Sequence, residues 1–437
     1  MNYTLFMNKV LKHAPLYIVI LIVVFACRTI LQTTDEQNLS SIYNPSSTTL
    51  HPVFNIYHTD EKSSLITAKI FPSELLFNKA NEAGEYRAKI KISYELFEIT
   101  DSRKDEILVD SAEHIYLLNL ENADKRFFRE IQTKAETGKE YLLRIYTTDL
   151  LRKTNVQAFF YVDKTSIFNN QNFQVRYKKS NNLVFDPKVI NDRLFTIFYN
   201  KKDVDSIYIK YFKRTLDLPT PTFSTSSPLN VLRKPDSLWL LPFSDTITYM
   251  LSYEGMYHIQ IDTSVFEGLT LFSFDKRFPK VSEAQQLADP LAYLVSSTAY
   301  KELQSSKNKK LAVDDFWLST TEDIDRAREL IRIYYNRVYF ANYYFTTSKE
   351  GWKTDRGMIY IVYGQPNTLY KSFSQEKWIY YNKSKSSKIT FIFNRGNSPF
   401  SNKEFILQRG ENLNSHWREA VYAWRNGQVF TLDSKLY

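Results

Sequence analysis

The stretch EGWKTDRGMIYIVYGQP, residues 350–366, combines three glycines with a tryptophan and an adjacent acid and arginine. The whole chain of 437 residues holds only 10 glycines, yet Gly351, Gly357 and Gly364 all fall in this window. Glycine tolerates positive φ and the close approach of another backbone. The stretch therefore predicts either a tightly turned junction in the fold or a chemical site.

The first half of the stretch has a structural interpretation, residue by residue. Gly351 is expected to adopt positive φ where the chain leaves a helix, and Trp352 is large enough to cover a junction between helix and sheet. Thr354 and Asp355 are typical turn caps, whose side-chain oxygens accept hydrogen bonds from backbone N–H groups.

The second half predicts an ion pair and a strand. Arg356 is expected to pair with Asp355 or with a neighbouring carboxylate such as Glu376. Gly357 would let the chain enter the apolar segment MIYIVY, which indicates a central strand because both of its faces are apolar. Gly364 would then end that strand.

The sequence around the stretch predicts an α+β domain over residues 279–437. Upstream, residues 319–345 place apolar side chains at spacings of three and four, which indicates a long amphipathic helix. Ser319 and Glu322 have the spacing of a capping box at its start. Downstream, KWIYYN, ITFIFN and EFIL indicate a small antiparallel sheet, and a last helix, SHWREAVYAWRN, ends before Gly427.

The region before this domain predicts two β units, residues 53–165 and 166–278. Aromatic residues, which favour strands, make up 16% of the chain. The segment RAKIKISYELFEI alternates apolar and polar residues with period two, as a half-buried strand does. Repeated short strands of this kind predict two tandem immunoglobulin-like β-sandwiches. The expected fold class is therefore multi-domain and mainly β, with the α+β domain last.

The pentapeptide GWKTD, from Gly351 to Asp355, and the RGMIYIVYGQP that follows resemble the bacterial GWxTD domain family. The resemblance extends upstream through YYNRVYFANYYF and downstream through KWIYY and FIF, over roughly the last third of the chain. It implies an exported protein of a Gram-negative bacterium, with β-sandwich modules before the signature domain. It implies no particular reaction, cofactor or substrate.

The N-terminal segment is typical of an exported protein. A basic start precedes the apolar run LYIVILIVVFA, which is short for a membrane-spanning helix, so residues 1–26 are interpreted as a signal peptide. Cys27, the only cysteine, follows directly, as in a lipobox where a lipoprotein is cleaved and acylated. An uncleaved anchor helix and a chance buried cysteine are the alternatives. The polar residues 27–52 are then expected to be a lipidated tether.

Several functional classes have poor support in the sequence. The net charge of +9 is spread along the chain with no nucleic-acid-binding module, so no nucleic-acid partner is expected. The order of a phosphate-binding P-loop is absent. The histidines are scattered without the spacing of metal ligands, and there is no G-x-S-x-G elbow. No metal or cofactor is therefore predicted.

Two functional hypotheses follow. The preferred one is a lipid-anchored envelope protein, in the outer membrane, that acts as a structural or protein-interaction module. In that case Trp378 and Tyr380 are candidate contacts for an envelope partner, since aromatic residues often anchor interfaces. The alternative is a hydrolase with its active site around Asp355 and Arg356, because an acid beside an arginine can form a polarised site.

Overall fold

The computed structural model describes residues 38–46, 50–80, 84–99, 106–185, 187–190, 193–201, 203–214, 218–224, 234–398, 400–401 and 403–433. The predicted signal peptide and Cys27 lie outside these residues. The strands and helices confirm a multi-domain, mainly β chain that ends in helices and a small sheet. Buried apolar residues form three separate clusters along it.

The first cluster lies between two antiparallel sheets. Its strands are β1 (Val53–His58), β2 (Ser63–Ile70), β3 (Asn78–Lys79), β4 (Tyr86–Ile99), β5 (Glu106–Asn119), β6 (Phe127–Lys134), β7 (Glu140–Asp149) and β8 (Thr154–Asp163). One sheet has the order β1-β2-β6, and in the other β4 pairs with β3, β5 and β7 while β7 pairs with β8. The predicted alternation along β4 is confirmed, since Ala88, Ile90, Ile92, Tyr94 and Leu96 are all buried.

The second cluster also lies between two sheets. Its strands are β9 (Phe173–Tyr177), β10 (Lys188–Ile190), β11 (Phe195–Tyr199), β12 (Ser206–Lys213), β13 (Ser237–Pro242), β14 (Thr248–Tyr249), β15 (Gly255–Gln260) and β16 (Leu269–Phe274). The sheets have the orders β10-β16-β15-β12-β13 and β14-β11-β9. The pairing of β10 with β16 is parallel, and the other pairings are antiparallel.

The third cluster belongs to the C-terminal unit. Its helices are α1 (Ala284–Ala288), α2 (Ser297–Ser305), α3 (Lys309–Ser319), α4 (Ile324–Phe345), α5 (Asp355–Tyr363) and α6 (Asn414–Arg425). Its antiparallel sheet has the order β17 (Thr368–Lys371), β18 (Gln375–Tyr381), β19 (Lys388–Arg395) and β20 (Phe405–Leu407). Among the described residues, 3-10 turns occupy Ser40–Tyr43, Pro72–Glu74, Leu120–Asn122, Asn170–Asn172, Asp289–Tyr293, Gly351–Lys353 and Glu411–Leu413.

The prediction of a central strand at MIYIVY is wrong, because these residues form most of α5. All nine residues of α5 are buried, so no polar face reveals the helical period. A short apolar run has the same appearance whether it is a buried strand or a buried helix. Local capping selects the helix here: Thr354 caps its start, and Gly364, with φ 83°, follows its end.

The predicted start of the long helix is also wrong. Ser319 is the last residue of α3, and α4 begins only at Ile324. The cap is Asp323, whose side chain accepts a hydrogen bond from the N–H of Asp325 at 2.8 Å. The last helix, by contrast, ends as predicted before Gly427, which has φ 71°.

Residues 38–46, placed by the sequence in a polar tether, are folded onto the C-terminal unit instead. Leu39 and Tyr43 belong to the third cluster, and the N–H of Leu39 donates to the carbonyl of Leu369 in β17 at 2.8 Å. Tyr360 of α5 donates from its hydroxyl to the carbonyl of Tyr43 at 3.0 Å. We call residues 38–46 the N-terminal strap.

Within the part of the chain described above, no helix combines the length and apolar character needed to cross a membrane.

Candidate functional site

The candidate site is the motif, residues 351–357, which joins α4 to α5. Gly351–Lys353 form a 3-10 turn and α5 begins at Asp355. Thr354 stands between them as the helix cap, as the sequence indicated for its side chain. Its hydroxyl accepts from the N–H of Gly357 at 3.0 Å and donates to the carbonyl of Gly351 at 2.7 Å.

The two motif glycines are required by close packing. A Cβ on Gly351 would lie 1.9 Å from the carbonyl oxygen of Ala341, and one on Gly357 would lie 1.9 Å from the carbonyl oxygen of Gly351. Neither distance is compatible with any side chain. Gly351 does not have a positive φ and Gly357 lies within α5, so the expectations of a positive φ at Gly351 and of strand entry at Gly357 are wrong. The glycines are needed because the backbones of α4, the turn and α5 approach closely at these positions.

Trp352 is buried among helices. Its N–H donates to Oδ1 of Asn342 on α4 at 3.1 Å, and its carbonyl accepts from the hydroxyl of Tyr293 at 2.6 Å. The Tyr293 and Trp352 rings meet edge to face, with centroids 6.2 Å apart. Trp352 therefore fixes the turn against α4 and the Asp289–Tyr293 segment.

Asp355 forms a buried, bidentate pair with Arg409. Nη2 of Arg409 lies 2.5 Å from Oδ1 and Nη1 lies 3.1 Å from Oδ2, and both side chains are only 7% exposed. The N–H of Leu407 in β20 also donates to Oδ2 at 2.7 Å. Both carboxylate oxygens are thus occupied by the protein itself.

Arg409 extends this pair to a different part of the chain. Its Nη2 also donates to the carbonyl of Thr220 at 3.1 Å. The N–H of Gly410 donates to the carbonyl of Thr222 at 3.1 Å. Residues 218–224 form a loop between β12 and β13 of the second β unit, so Asp355 and Arg409 attach that loop to the C-terminal unit.

Arg356 pairs with Glu376, one of the two partners that the sequence indicated. Nη1 of Arg356 donates to Oε1 of Glu376 at 2.9 Å, and Nη2 donates to the carbonyl of Lys403 at 2.7 Å. The guanidinium also lies over the Phe405 ring, 4.6 Å from its centroid. Arg356 is 5% exposed and Glu376 is completely buried.

Glu376 collects three further donors. Lys371 lies 3.1 Å from Oε1, the Tyr43 hydroxyl donates at 3.1 Å, and Nε1 of Trp378 donates to Oε2 at 3.1 Å. Burial by itself would raise the pKa of Glu376. The positive charges of Lys371 and Arg356 and the Trp378 hydrogen bond outweigh burial and lower the pKa to about 2. Glu376 is therefore ionised inside the protein.

Tyr43 brings the N-terminal strap into the same network. Its ring lies 4.9 Å from Phe345 and 5.5 Å from Trp378, centroid to centroid. Burial first, and then the charge of Glu376, hold the pKa of Tyr43 well above its ordinary value, so it stays a neutral donor. The strap is thus bound by Glu376, and through Glu376 by the motif residue Arg356.

A third group of buried charges is centred on Glu350, the residue just before the motif. Oε2 of Glu350 is 2.9 Å from Nζ of Lys353, and Glu350 also pairs with Arg214, which follows β12. Burial alone would raise the pKa of Glu350, but Lys353 and Arg214 hold it below its usual value. The pair of Glu350 with Arg214 is a second link between the second β unit and the C-terminal unit.

Trp378 and Tyr380, the candidate partner contacts, lie inside the third cluster. Trp378 is 0% exposed and Tyr380 is 5% exposed. The Tyr380 hydroxyl donates to the carbonyl of Gly364 at 2.8 Å. Their strand, β18, places them on the face that the helices cover. In this fold their rings are core residues, and no partner contact is assigned to them.

The charged side chains of the motif are buried and paired with neighbouring residues. Over the described residues, no group of three or more His, Cys, Asp or Glu side chains is arranged to hold a metal ion. An open groove of about 290 Å³ lies elsewhere, between β5 and β6 of the first unit, beside Leu117, Lys125 and Arg129. The motif contributes none of that groove's lining.

Sequence reasoning missed Arg409, Tyr43 and Arg214 as members of the site. One feature of the sequence could have indicated Arg409. Arg409 follows the short apolar strand β20, and a charged residue there needs a buried partner if the strand is internal. Tyr43 and Arg214 are separated from the motif by more than a hundred residues, and only the folded chain brings them to it.

The comparison with protein families gives this unit its class. Residues 255–426 match the model of the GWxTD domain. These residues therefore form a GWxTD domain, as the pentapeptide indicated. The match begins at Gly255, so it includes β15 and β16 of the second β unit as well as the helices and the small sheet. No curated protein matches the chain.

Proposed function

We propose that this protein is a membrane-anchored envelope lipoprotein that acts as a structural or protein-interaction module. In this proposal two immunoglobulin-like β-sandwiches precede the GWxTD domain, and acylated Cys27 attaches the chain to a membrane, the outer membrane of a Gram-negative cell. The motif serves the architecture of the module and does no chemistry.

The observation that carries the proposal is the closure of the motif's charges. Asp355 and Arg356 are 7% and 5% exposed, and each is bound by an opposite charge and by backbone groups. An active-site carboxylate must reach its substrate, within hydrogen-bond distance or through one water molecule. Here both oxygens of Asp355 are hydrogen-bonded by Arg409 and Leu407. The arrangement therefore favours a structural role for Asp355, in which it links chain segments, over a catalytic role.

The β units supply surfaces that suit a protein partner. Among the described strands, β5 pairs only with β4 and β13 only with β12, so each is the edge of its sheet. Leu117 of β5 is 62% exposed, and Leu238 and Leu240 of β13 are 54% and 59% exposed. An edge strand with exposed apolar side chains can accept an extended segment of another protein as an additional strand.

The anchor is tested by the mass of the mature N-terminus in membrane fractions. The proposal expects an N-terminal peptide that begins at Cys27 and carries acyl chains, and a Cys27→Ala chain without this modification. An unmodified Cys27 with residues 1–26 still attached would refute lipidation and support the uncleaved anchor.

The interaction role is tested by cross-linking in intact envelopes. Wild type is compared with Leu238→Lys/Leu240→Lys, which places charges on the β13 edge, and with Leu311→Lys/Leu318→Lys as the matched control. The control leucines are also exposed, at 54% and 48%, but lie on α3. The expected result is a stoichiometric cross-linked partner that only the β13 variant loses. A partner retained by both variants would remove β13 from the proposal, and no partner at all would refute the interaction role.

A further inference from the structure

The N-terminal strap enters the fold at one defined end of the small sheet. Nδ2 of Asn38 donates to the carbonyl of Asn367 at 3.1 Å, and Oδ1 of Asn38 accepts from the N–H of Leu369 at 3.0 Å. Oδ1 of Asn367 in turn accepts from the N–H of Tyr381 at 2.9 Å. Asn38 therefore lies where β17 begins and β18 ends.

The same end of the sheet carries a lysine-rich turn. The turn between β18 and β19, residues 382–387, directly follows Tyr381. Lys383 and Lys385 in the turn and Lys388 at the start of β19 are all exposed. We call these three residues the lysine turn. One acid is bound there: Asp433 accepts from the N–H of Lys383 at 2.9 Å.

We propose that the lysine turn is the surface by which the GWxTD domain faces an anionic lipid membrane. This inference rests on the proposed function, because it takes Cys27 as the lipid anchor. From Cys27 to Asn38 there are 38 − 27 = 11 residue steps. A fully extended chain covers at most about 3.6 Å per residue, so Asn38 lies within about 40 Å of the anchored residue.

Charge complementarity selects the occupant. Basic side chains near an anionic bilayer each strengthen binding about fivefold, and the attraction fades within about a Debye length of roughly 10 Å. A lipid anchor keeps the turn within reach of the bilayer, and at distances below about 10 Å the charge of the turn then orients the domain on the surface. The GWxTD domain becomes the membrane-proximal part of the chain, although it is last in the sequence.

The test uses a chain that begins at Arg28, which keeps every described residue but lacks the leader and Cys27. This chain contains all three buried clusters, the first residue of which is Leu39, and circular dichroism with a cooperative thermal transition verifies that it is folded. Binding is measured by co-sedimentation with vesicles of phosphatidylcholine alone or of phosphatidylcholine and phosphatidylglycerol in equal parts. Wild type is compared with Lys383→Gln/Lys385→Gln/Lys388→Gln. The matched control is Lys307→Gln/Lys309→Gln/Lys310→Gln, which removes the same charge just before and at the start of α3.

The expected result is binding to the anionic vesicles only. Three lysines at about fivefold each predict a loss on the order of 100-fold in the lysine-turn variant, against a much smaller loss in the control. Equal losses in the two variants, or equal binding of wild type to both vesicle types, would overturn the proposal. Thermal midpoints equal to wild type verify that both variants are folded.

The two proposals can fail separately. The vesicle assay uses a chain that cannot be acylated, so it reports on the lysine turn alone. The mass of the mature N-terminus reports on Cys27 alone. If Cys27 is acylated but the lysine-turn variant binds vesicles like wild type, the lipoprotein proposal stands and the proposed orientation on the membrane is refuted. A lysine effect without acylation leaves a basic lipid-binding surface but removes the anchor.

Discussion

Two buried ion pairs begin at adjacent residues of the motif and bind different parts of the chain. Asp355 pairs with Arg409, which holds the loop of residues 218–224 from the second β unit. Arg356 pairs with Glu376, which holds Tyr43 of the N-terminal strap. Because successive residues of a helix point about 100° apart, the side chains of Asp355 and Arg356 at the start of α5 point in different directions and contact different segments.

The pairs differ in their surroundings. The Arg356–Glu376 pair is inside the domain, and Glu376 has no exposed surface and receives side-chain donors from four residues. The Asp355–Arg409 pair lies between two units and relies partly on backbone groups. A buried ion pair stabilises little compared with an apolar core, but the loss of one partner is costly. The difference predicts that the inner pair controls the stability of the domain and the outer pair its attachment.

The largest effect is expected for Glu376→Ala. Removing this carboxylate leaves the buried charge of Arg356 without compensation, and the free energy of unfolding should fall by about 3–5 kcal/mol. Urea unfolding followed by tryptophan fluorescence measures it, since all tryptophans except Trp239 lie at or after Trp317. The exposed Glu411→Ala is the control. A loss below about 1 kcal/mol would contradict the central role of the inner pair.

The same carboxylate predicts a pH dependence. The pKa of Glu376 is lowered from 4.5 to about 2 in the folded protein, so its contribution is complete above pH 4.5 and disappears as the pH falls towards 2. One pKa unit corresponds to about 1.36 kcal/mol, so the loss is roughly 3 kcal/mol. Unfolding curves of wild type and Glu376→Gln across this range measure it. Parallel pH profiles for the two chains would refute this prediction.

Asp355→Asn tests the outer pair. Asparagine can still accept from Leu407 but loses the charge that binds Arg409, and we expect a loss of about 2–3 kcal/mol. The diagnostic readout is hydrogen exchange, which should accelerate in residues 218–224 and stay unchanged in the strap. Accelerated exchange in the strap alone would contradict the prediction that the Asp355–Arg409 pair holds residues 218–224.

Gly351→Ala should disturb both pairs together. The new Cβ meets the carbonyl oxygen of Ala341, so α4 and the turn must separate, at a cost of about 1–3 kcal/mol. In the control, Gly396→Ala, the nearest atom to the new Cβ is Cδ1 of Ile406 at 3.1 Å, the movable end of a side chain. Equal thermal midpoints for the two variants would show that the close approach at Gly351 is not required.

The smallest effect is expected for Tyr43→Phe. Phenylalanine keeps the ring contacts and removes only the hydrogen bond to Glu376, which retains Arg356, Lys371 and Trp378, so the loss should be about 1 kcal/mol. Hydrogen exchange should accelerate in residues 38–46 and remain at wild-type rates in residues 218–224. An unchanged strap would mean that apolar packing alone holds it.

The sequence predicted the parts of this fold whose pattern is local. Strand β4 alternates because one of its faces is buried, and helix α6 ends two residues before Gly427, which has a positive φ. The buried helix α5 was predicted as a strand, because an all-apolar run has no period to read. The break between α3 and α4 was missed because capping groups occur at Ser319 as well as at Asp323, and only the second is used.

The candidate site shows the same division. The composition of residues 350–366 marked the motif, and Glu376 was one of two partners expected for Arg356. The charge of Arg409 after an apolar strand was a signal, but its pairing with Asp355 and the pairing of Tyr43 with Glu376 could not be predicted. Contacts across 54 and 333 positions depend on how sheet, helix and strap pack together. The sequence shows which residues are charged, but it does not show which charged residues pair in the folded protein.

The sequence by itself determined the mainly β composition, the amphipathic and alternating segments and the GWxTD signature, since each is written in neighbouring residues. Only the tertiary structure decided that the motif is helical and buried, that its two charges hold a loop and a strap, and that both glycines are needed for contact. These properties depend on distances between segments far apart in the chain, and packing sets those distances.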